Sequence, residues 1–390
     1  MLCTYGLFAT AFPDTPYIQA LLAQKSRQKD IVSTWDVDAA VRETAAYFSN
    51  LMRTEFQGGN RRYRISEDEY ALLERGMPST GFIPLNEMTA GQTYKGQEGG
   101  LYGNGGNEPP LEHRLAAEAA AAKIQPLDAN GKPDPNGRIV LMSMGMSNTR
   151  QHWAAFKQRA DNDRDKSKAV VVVNGAAGGQ DARVWADPLG DHGRQLSIPP
   201  TGWKGNAWDY ADAMLAEQGV TREQVQAVWI YQALMNPHQY GAYPEHAHVL
   251  AECIGVMVRE AKRRYPNLQV VFLSSRTYAG YAVRELNPEP YAYESAFAVR
   301  QLILEQIDGN PRYNYDPAKG PVTAPVLVWG PYLWADGIIP RSTDGFTWER
   351  EDFTPPPDGT HPSGKGTAKV AQMLLAFFKT DPLTRDWFLK

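Results

Sequence analysis

Residues 139–159 read IVLMSMGMSNTRQHWAAFKQR, and this stretch decides the fold. The unbroken apolar run Ile139–Met144 has the length of a buried strand. It runs into Gly145-Met146-Ser147-Asn148 and then a helical pattern at Thr149–Arg159. The same alternation recurs downstream. Apolar runs at Ala169–Val173, Ala227–Tyr231, Leu268–Leu273 and Val326–Trp329 predict four more strands. Helical stretches at Ala207–Glu217, Glu245–Arg264, Tyr291–Ile307 and Gly366–Lys379 fall between and after them. Continuous rather than alternating apolar strands, separated by helices, predict a parallel sheet covered on both faces. In such sheets, residues that bind or react sit at the carboxyl ends of the strands.

Upstream the pattern is irregular. Asp36–Arg53 reads as an amphipathic helix. Pro109 and Pro110 open a second at Leu111–Lys123, with Asn107 as its cap. Residues 126–137 are turn chemistry throughout. This predicts an N-terminal helical and loop-rich extension, 1–135, packing on a main domain, 136–390. The segment from Pro78 to Pro110 would wrap that domain.

Composition narrows the function. With 40 Lys and Arg against 44 Asp and Glu and no long charge run, nothing indicates a nucleic-acid partner. No apolar stretch nears the length of a membrane span. The 34 glycines and 28 prolines imply long, shaped loops. The two cysteines, Cys3 and Cys253, exclude a disulfide framework. Cys253 falls in an apolar helical pattern and reads as a buried thiol. Met1 to Phe12 is mildly apolar without a basic leader, so it reads as a signal-peptide remnant or as a first strand or loop.

Three features sit where chemistry would be expected. Ser147 lies on the turn between the first strand and its helix, where backbone N–H groups can stabilise an oxyanion. A helix-capping serine is the plain alternative. Gly175 to Gly179, after the second strand, let the backbone approach a ligand. Asp358-Gly359-Thr360-His361 precedes the last helix; a histidine there could take a serine proton while the aspartate fixes its tautomer. A structural loop pair is the alternative.

Taken in this order on one sheet, the three resemble the blocks of the SGNH/GDSL hydrolase superfamily over residues 138–380. Gly145-Met146-Ser147-Asn148 is similar to the Gly-x-Ser-Asn form of the carbohydrate O-acetylesterase, sialate O-acetylesterase-like branch. The resemblance implies an α/β fold: a three-layer α/β/α sandwich on a five-stranded parallel, flavodoxin-like sheet. It implies Ser147 as nucleophile, His361 as base and Asp358 as its orienter, with the N–H groups of Ser147 and Gly178 in the oxyanion hole. The family's third block, Gly-x-Asn-Asp, is missing. The third strand ends instead in Ile230-Tyr231-Gln232-Ala233-Leu234-Met235-Asn236. This is nearer the Trp-x-Gln-Gly-Glu variant and leaves Gln232 or Asn236 to supply the amide. A lost donor costs on the order of 10²–10³ in rate.

Other candidates are weaker. Asn148, Arg276, Tyr278 and Trp185 are candidate substrate contacts, with Trp203 and Trp208 as further stacking rings. Glu245, His246, His248 and Glu252 superficially resemble a metal cluster, but histidines two apart on a helix point about 200° apart. The loop Gly99–Gly106 lacks the strand and lysine of a phosphate cradle.

The resemblance therefore implies a serine esterase cleaving short acyl, chiefly acetyl, esters on carbohydrate or small molecules, with no metal or organic cofactor. Two alternatives stand beside it: a non-catalytic carbohydrate-binding protein on the same fold, and a lipase or thioesterase. The resemblance suggests secretion or a periplasmic location, although no clear signal peptide is legible.

Overall fold

The computed structural model describes residues 76–187, 196–198, 203–356 and 358–390. Five strands form one parallel sheet: β1 (Ile139–Gly145), β2 (Val170–Asn174), β3 (Val225–Tyr231), β4 (Val270–Ser274) and β5 (Val326–Trp329), in the order β2-β1-β3-β4-β5. The expected α/β class with its five-stranded parallel sheet is observed. Every residue of β1, β3, β4 and β5 is buried, which explains why their sequences are apolar without alternation.

The helices are α1 (Leu111–Ala121), α2 (Ser147–Asp161), α3 (Ala182–Trp185), α4 (Ala207–Glu217), α5 (Glu245–Arg264), α6 (Tyr291–Ile307), α7 (Gly364–Thr380) and α8 (Arg385–Phe388). Short antiparallel pairs join Thr93–Tyr94 to Gln97–Glu98 and Leu196–Ile198 to Trp203–Gly205. The helix expected at Asp36–Arg53, the Met1 to Phe12 stretch and Cys3 lie outside the described residues.

The core is built on large rings. Trp153 of α2 stacks on Trp229 of β3 at 5.3 Å, and Trp229 stacks on Tyr231 at 5.5 Å. Each indole N–H is satisfied, Trp153 by the Val173 carbonyl at 2.9 Å and Trp229 by Ser274 Oγ at 2.9 Å. Burying such a ring stabilises by about 1.5–3 kcal/mol or more. Leu85, Met88, Ala117, Ala120 and Ile124, all upstream of the sheet, belong to the same core. On the β5 side, His113 of α1 is hydrogen-bonded through Nε2 to the Leu327 carbonyl at 2.8 Å.

Several expectations need correction. α2 starts at Ser147 rather than Thr149, because Met146 is extended and the chain turns immediately after it. Asn107 does not cap α1. Its Oδ1 accepts from the Leu101 N–H and its Nδ2 donates to the Asn86 carbonyl, so it pins the preceding loop, and Pro110 stands at the cap position. Cys253 is half-buried rather than fully buried, and burial pushes its thiol up to about 11. No helix among the described residues is long and apolar enough to cross a membrane.

Candidate active site

The site begins at the end of β1. Gly145 has φ of 155°, and a Cβ there would collide with Thr149 Oγ1 and the Tyr231 carbonyl. Glycine is therefore required where the strand breaks into the helix. Thr149 is the pin of this turn: its hydroxyl accepts from the Met146 N–H at 3.2 Å and donates to the Tyr231 carbonyl. The result holds Ser147 at the first position of α2, half-buried, at the edge of the sheet's carboxyl end.

The last loop supplies the partners. Ser147 Oγ lies 2.8 Å from His361 Nε2, and His361 Nδ1 lies 2.8 Å from Asp358 Oδ2. A carboxylate only accepts, so the Nδ1 proton faces Asp358 and Nε2 is left to accept from the serine hydroxyl. Thr354 holds the loop in shape. Its hydroxyl donates to Asp358 Oδ2 at 2.8 Å, and its N–H donates to the His361 carbonyl at 2.8 Å. Burial raises the Asp358 carboxyl, but the hydrogen bonds from Thr354 and His361 outweigh it and hold the group below its ordinary value. At Gly359, φ is 64° and a Cβ would run into the Tyr281 carbonyl, so this turn too admits only glycine without distortion.

The loop after β2 closes a third side. The Ala177 N–H donates to the Gly145 carbonyl at 3.0 Å, which brings the glycine loop beside the serine turn. Gly178 is half-buried and its N–H has no hydrogen-bond partner among the described residues. The Ser147 N–H, at the first position of a helix, has no intrahelical partner either. Both N–H groups are thus uncommitted donors at the rim.

The two amides expected near β3 are differently placed. Gln232 is buried, donates Nε2 to the Gln180 carbonyl at 3.3 Å and accepts on Oε1 from the Ala233 N–H at 3.0 Å. Asn236 is left-handed (φ 51°) and its N–H donates to the Leu286 carbonyl at 3.1 Å. Neither amide is bonded to Ser147, His361 or Asp358.

All four expected substrate contacts are buried. Asn148 donates Nδ2 to the Thr360 carbonyl at 3.0 Å, so it ties the serine helix to the histidine loop instead of facing a ligand. Trp185 is fully buried, donates to the Gly145 carbonyl at 3.2 Å and packs edge-on against Trp208 at 4.9 Å. Trp208 is buried as well, so neither ring offers a stacking face. Tyr278 is buried with its hydroxyl on the Met77 carbonyl at 2.6 Å. Arg276 is buried with its head group 4.9 Å from the centre of the Tyr231 ring.

The remaining charged cluster is dispersed. His246 bonds the buried Glu294 at 2.7 Å, which also accepts from Tyr94 and Lys95, while Glu252 pairs with Arg312. Among the described residues no group of three or more His, Cys, Asp or Glu is gathered to hold a metal ion.

Thr354, Thr149 and the strap from Asn148 to Thr360 were not legible in the sequence, since each acts across a turn or between distant segments. The chemistry available is proton transfer from Ser147 to His361, with Asp358 orienting and electrostatically supporting the imidazole. No protein-family model and no curated protein matches the chain.

Proposed function

We propose that the chain is a serine esterase of the SGNH type, on a flavodoxin-like three-layer α/β/α sandwich, acting on short acyl esters of carbohydrates or small molecules. The observation that carries this reading is the unbroken hydrogen-bond chain from Ser147 through His361 to Asp358 at the sheet's carboxyl end. The strand order β2-β1-β3-β4-β5 supports the fold type. In the proposed reaction Ser147 Oγ attacks the ester carbonyl as His361 Nε2 takes its proton. The oxyanion is met by the N–H groups of Ser147 and Gly178. His361 returns the proton to the leaving alcohol. Water, deprotonated by the same nitrogen, then releases the acid.

The test is hydrolysis of 4-nitrophenyl esters, acetate to octanoate, by wild type and Ser147→Ala. Acetate turnover lost by a factor of at least about 10³ in a folded variant supports the proposal. Turnover that survives the substitution overturns it. Preference for acyl chains of eight carbons would move the assignment to a lipase or thioesterase.

One observation favours a second reading. The Gln232 amide is committed to the Gln180 carbonyl and the Ala233 N–H, so the third oxyanion donor is engaged elsewhere. A non-catalytic carbohydrate-binding protein would bind saccharides without turnover, and an organophosphate would leave its Ser147 unlabelled.

A further inference from the structure

Behind the serine turn lies a polar cluster that the proposed reaction does not use. It is formed by α2, the end of β3 and the residues that follow β4. Arg276 is 1% exposed, and its Nε and Nη1 have no hydrogen-bond partner among the described residues. No carboxylate among the described residues lies within ion-pair distance of it. Its head group meets the Tyr231 ring instead. His152, on α2, is fully buried, both its ring nitrogens have no partner among the described residues, and its ring lies 5.7 Å from that same tyrosine ring. Burial, and then the charge of Arg276, hold this histidine neutral. Ser275, next to Arg276 in the chain, has a buried hydroxyl with no partner among the described residues.

A guanidinium does not give up its proton in a protein. A buried positive charge without a counter-charge is strongly unfavourable, and the face of one tyrosine compensates only part of it. The unpartnered groups are mostly donors: the Nε–H and Nη1–H of Arg276 and one imidazole N–H. Unpartnered donors around one tyrosine ring, beside a cation with no counter-charge among the described residues, make an environment for negative charge.

We propose that Arg276 and His152 hold a small monoanion, a halide or a short carboxylate, in this buried cluster behind Ser147. The anion supplies the counter-charge that Arg276 lacks among the described residues. The site is independent of whether Ser147 reacts.

The experiment uses the full chain in halide-free, carboxylate-free buffer. Bromide is the first probe. Crystals grown with bromide should show an anomalous peak within about 4 Å of the Arg276 head group, the contact range of a hydrogen-bonded or ion-paired anion. The melting temperature should rise with bromide by about 2 °C or more, and that rise should vanish in Arg276→Gln. Acetate is the second probe. If it weakens the bromide peak and also raises the melting temperature, the site takes carboxylates; if it does neither, the site is a halide site. No bromide peak at the cluster, with a melting temperature indifferent to both anions, overturns the proposal. The crystals and the wild-type titrations decide the matter even if Arg276→Gln fails to fold.

Discussion

Asn148 Nδ2 donates to the carbonyl of Thr360 at 3.0 Å, so the residue after Ser147 is bonded to the residue before His361. The strap is buried, and it fixes the distance between two segments separated by more than half the chain. Asn148→Ala leaves the Thr360 carbonyl without its donor. A loss of about 1–3 kcal/mol in stability is expected. If the proposed chemistry holds, kcat should fall more than KM changes, because the serine and histidine would drift apart while the binding surface persists. Denaturant unfolding together with steady-state kinetics on the same samples checks both.

The support of Asp358 gives a pH prediction. Its carboxyl is held below the ordinary value in the folded chain, so its contribution to stability is present above the unfolded value and lost as pH falls through the folded one. Thr354→Val removes one of the two side-chain bonds behind this. The folded value then climbs toward the ordinary one, and the acid limb of both activity and stability should begin at higher pH. Asp358→Asn should cost the proposed hydrolysis roughly 10³–10⁴-fold at neutral pH through the wrong tautomer of His361. A pH–rate profile with the acid limb unmoved in Thr354→Val would contradict the assignment.

Trp185 separates packing from recognition. Because the ring is buried and bonded to the Gly145 carbonyl, Trp185→Ala should cost roughly 3–5 kcal/mol of stability. Trp185→Phe should cost about 1 kcal/mol, mainly the lost bond. Saccharide affinity of the folded Phe variant should match wild type. A large loss of affinity at unchanged melting temperature would restore the ring as a ligand contact.

Glu289 should make stability fall with rising pH. The residue is half-buried, and its carboxylate accepts from Trp334 Nε1 at 2.8 Å and from the N–H groups of Ala279 and Tyr293 at 2.9 Å. Burial outweighs these donors and lifts the carboxyl from 4.5 to about 7. A raised folded value means that stability is fully present below pH 4.5 and is lost as pH climbs through about 7. Glu289→Gln cannot ionise and stands in for the neutral acid, so its stability should lie nearest wild type near pH 5 and exceed it increasingly toward pH 8. Thermal melts across that range measure it.

The sheet was readable because parallel strands buried on both faces leave continuous apolar runs such as Ile139–Met144. Ser147, Asp358 and His361, each weak alone, were brought together by the resemblance of their order along the chain to the SGNH/GDSL blocks, and the three side chains do meet. The burial of Trp185, Tyr278 and Asn148 was not readable. Each is decided by a partner far away in sequence: Trp185 meets Gly145, Tyr278 meets Met77, and Asn148 meets Thr360. A loop residue after a strand reads the same whether it faces solvent or folds back under its own turn. Asn107 misled for a related reason, since an asparagine before a proline-led helix can equally bond the loop it leaves.

The Ser147 hydroxyl finds its histidine 214 positions later, on a loop just ahead of α7. A chain ending before that loop would still contain all five strands, yet its serine would have no base. Covalent titration of Ser147 by a phosphonate would therefore count, in any preparation of an active enzyme, only those molecules whose C-terminal segment has docked. Spectroscopy of the sheet counts the rest as well. The difference between the two totals would measure, without separation, how much of the material is assembled but incomplete.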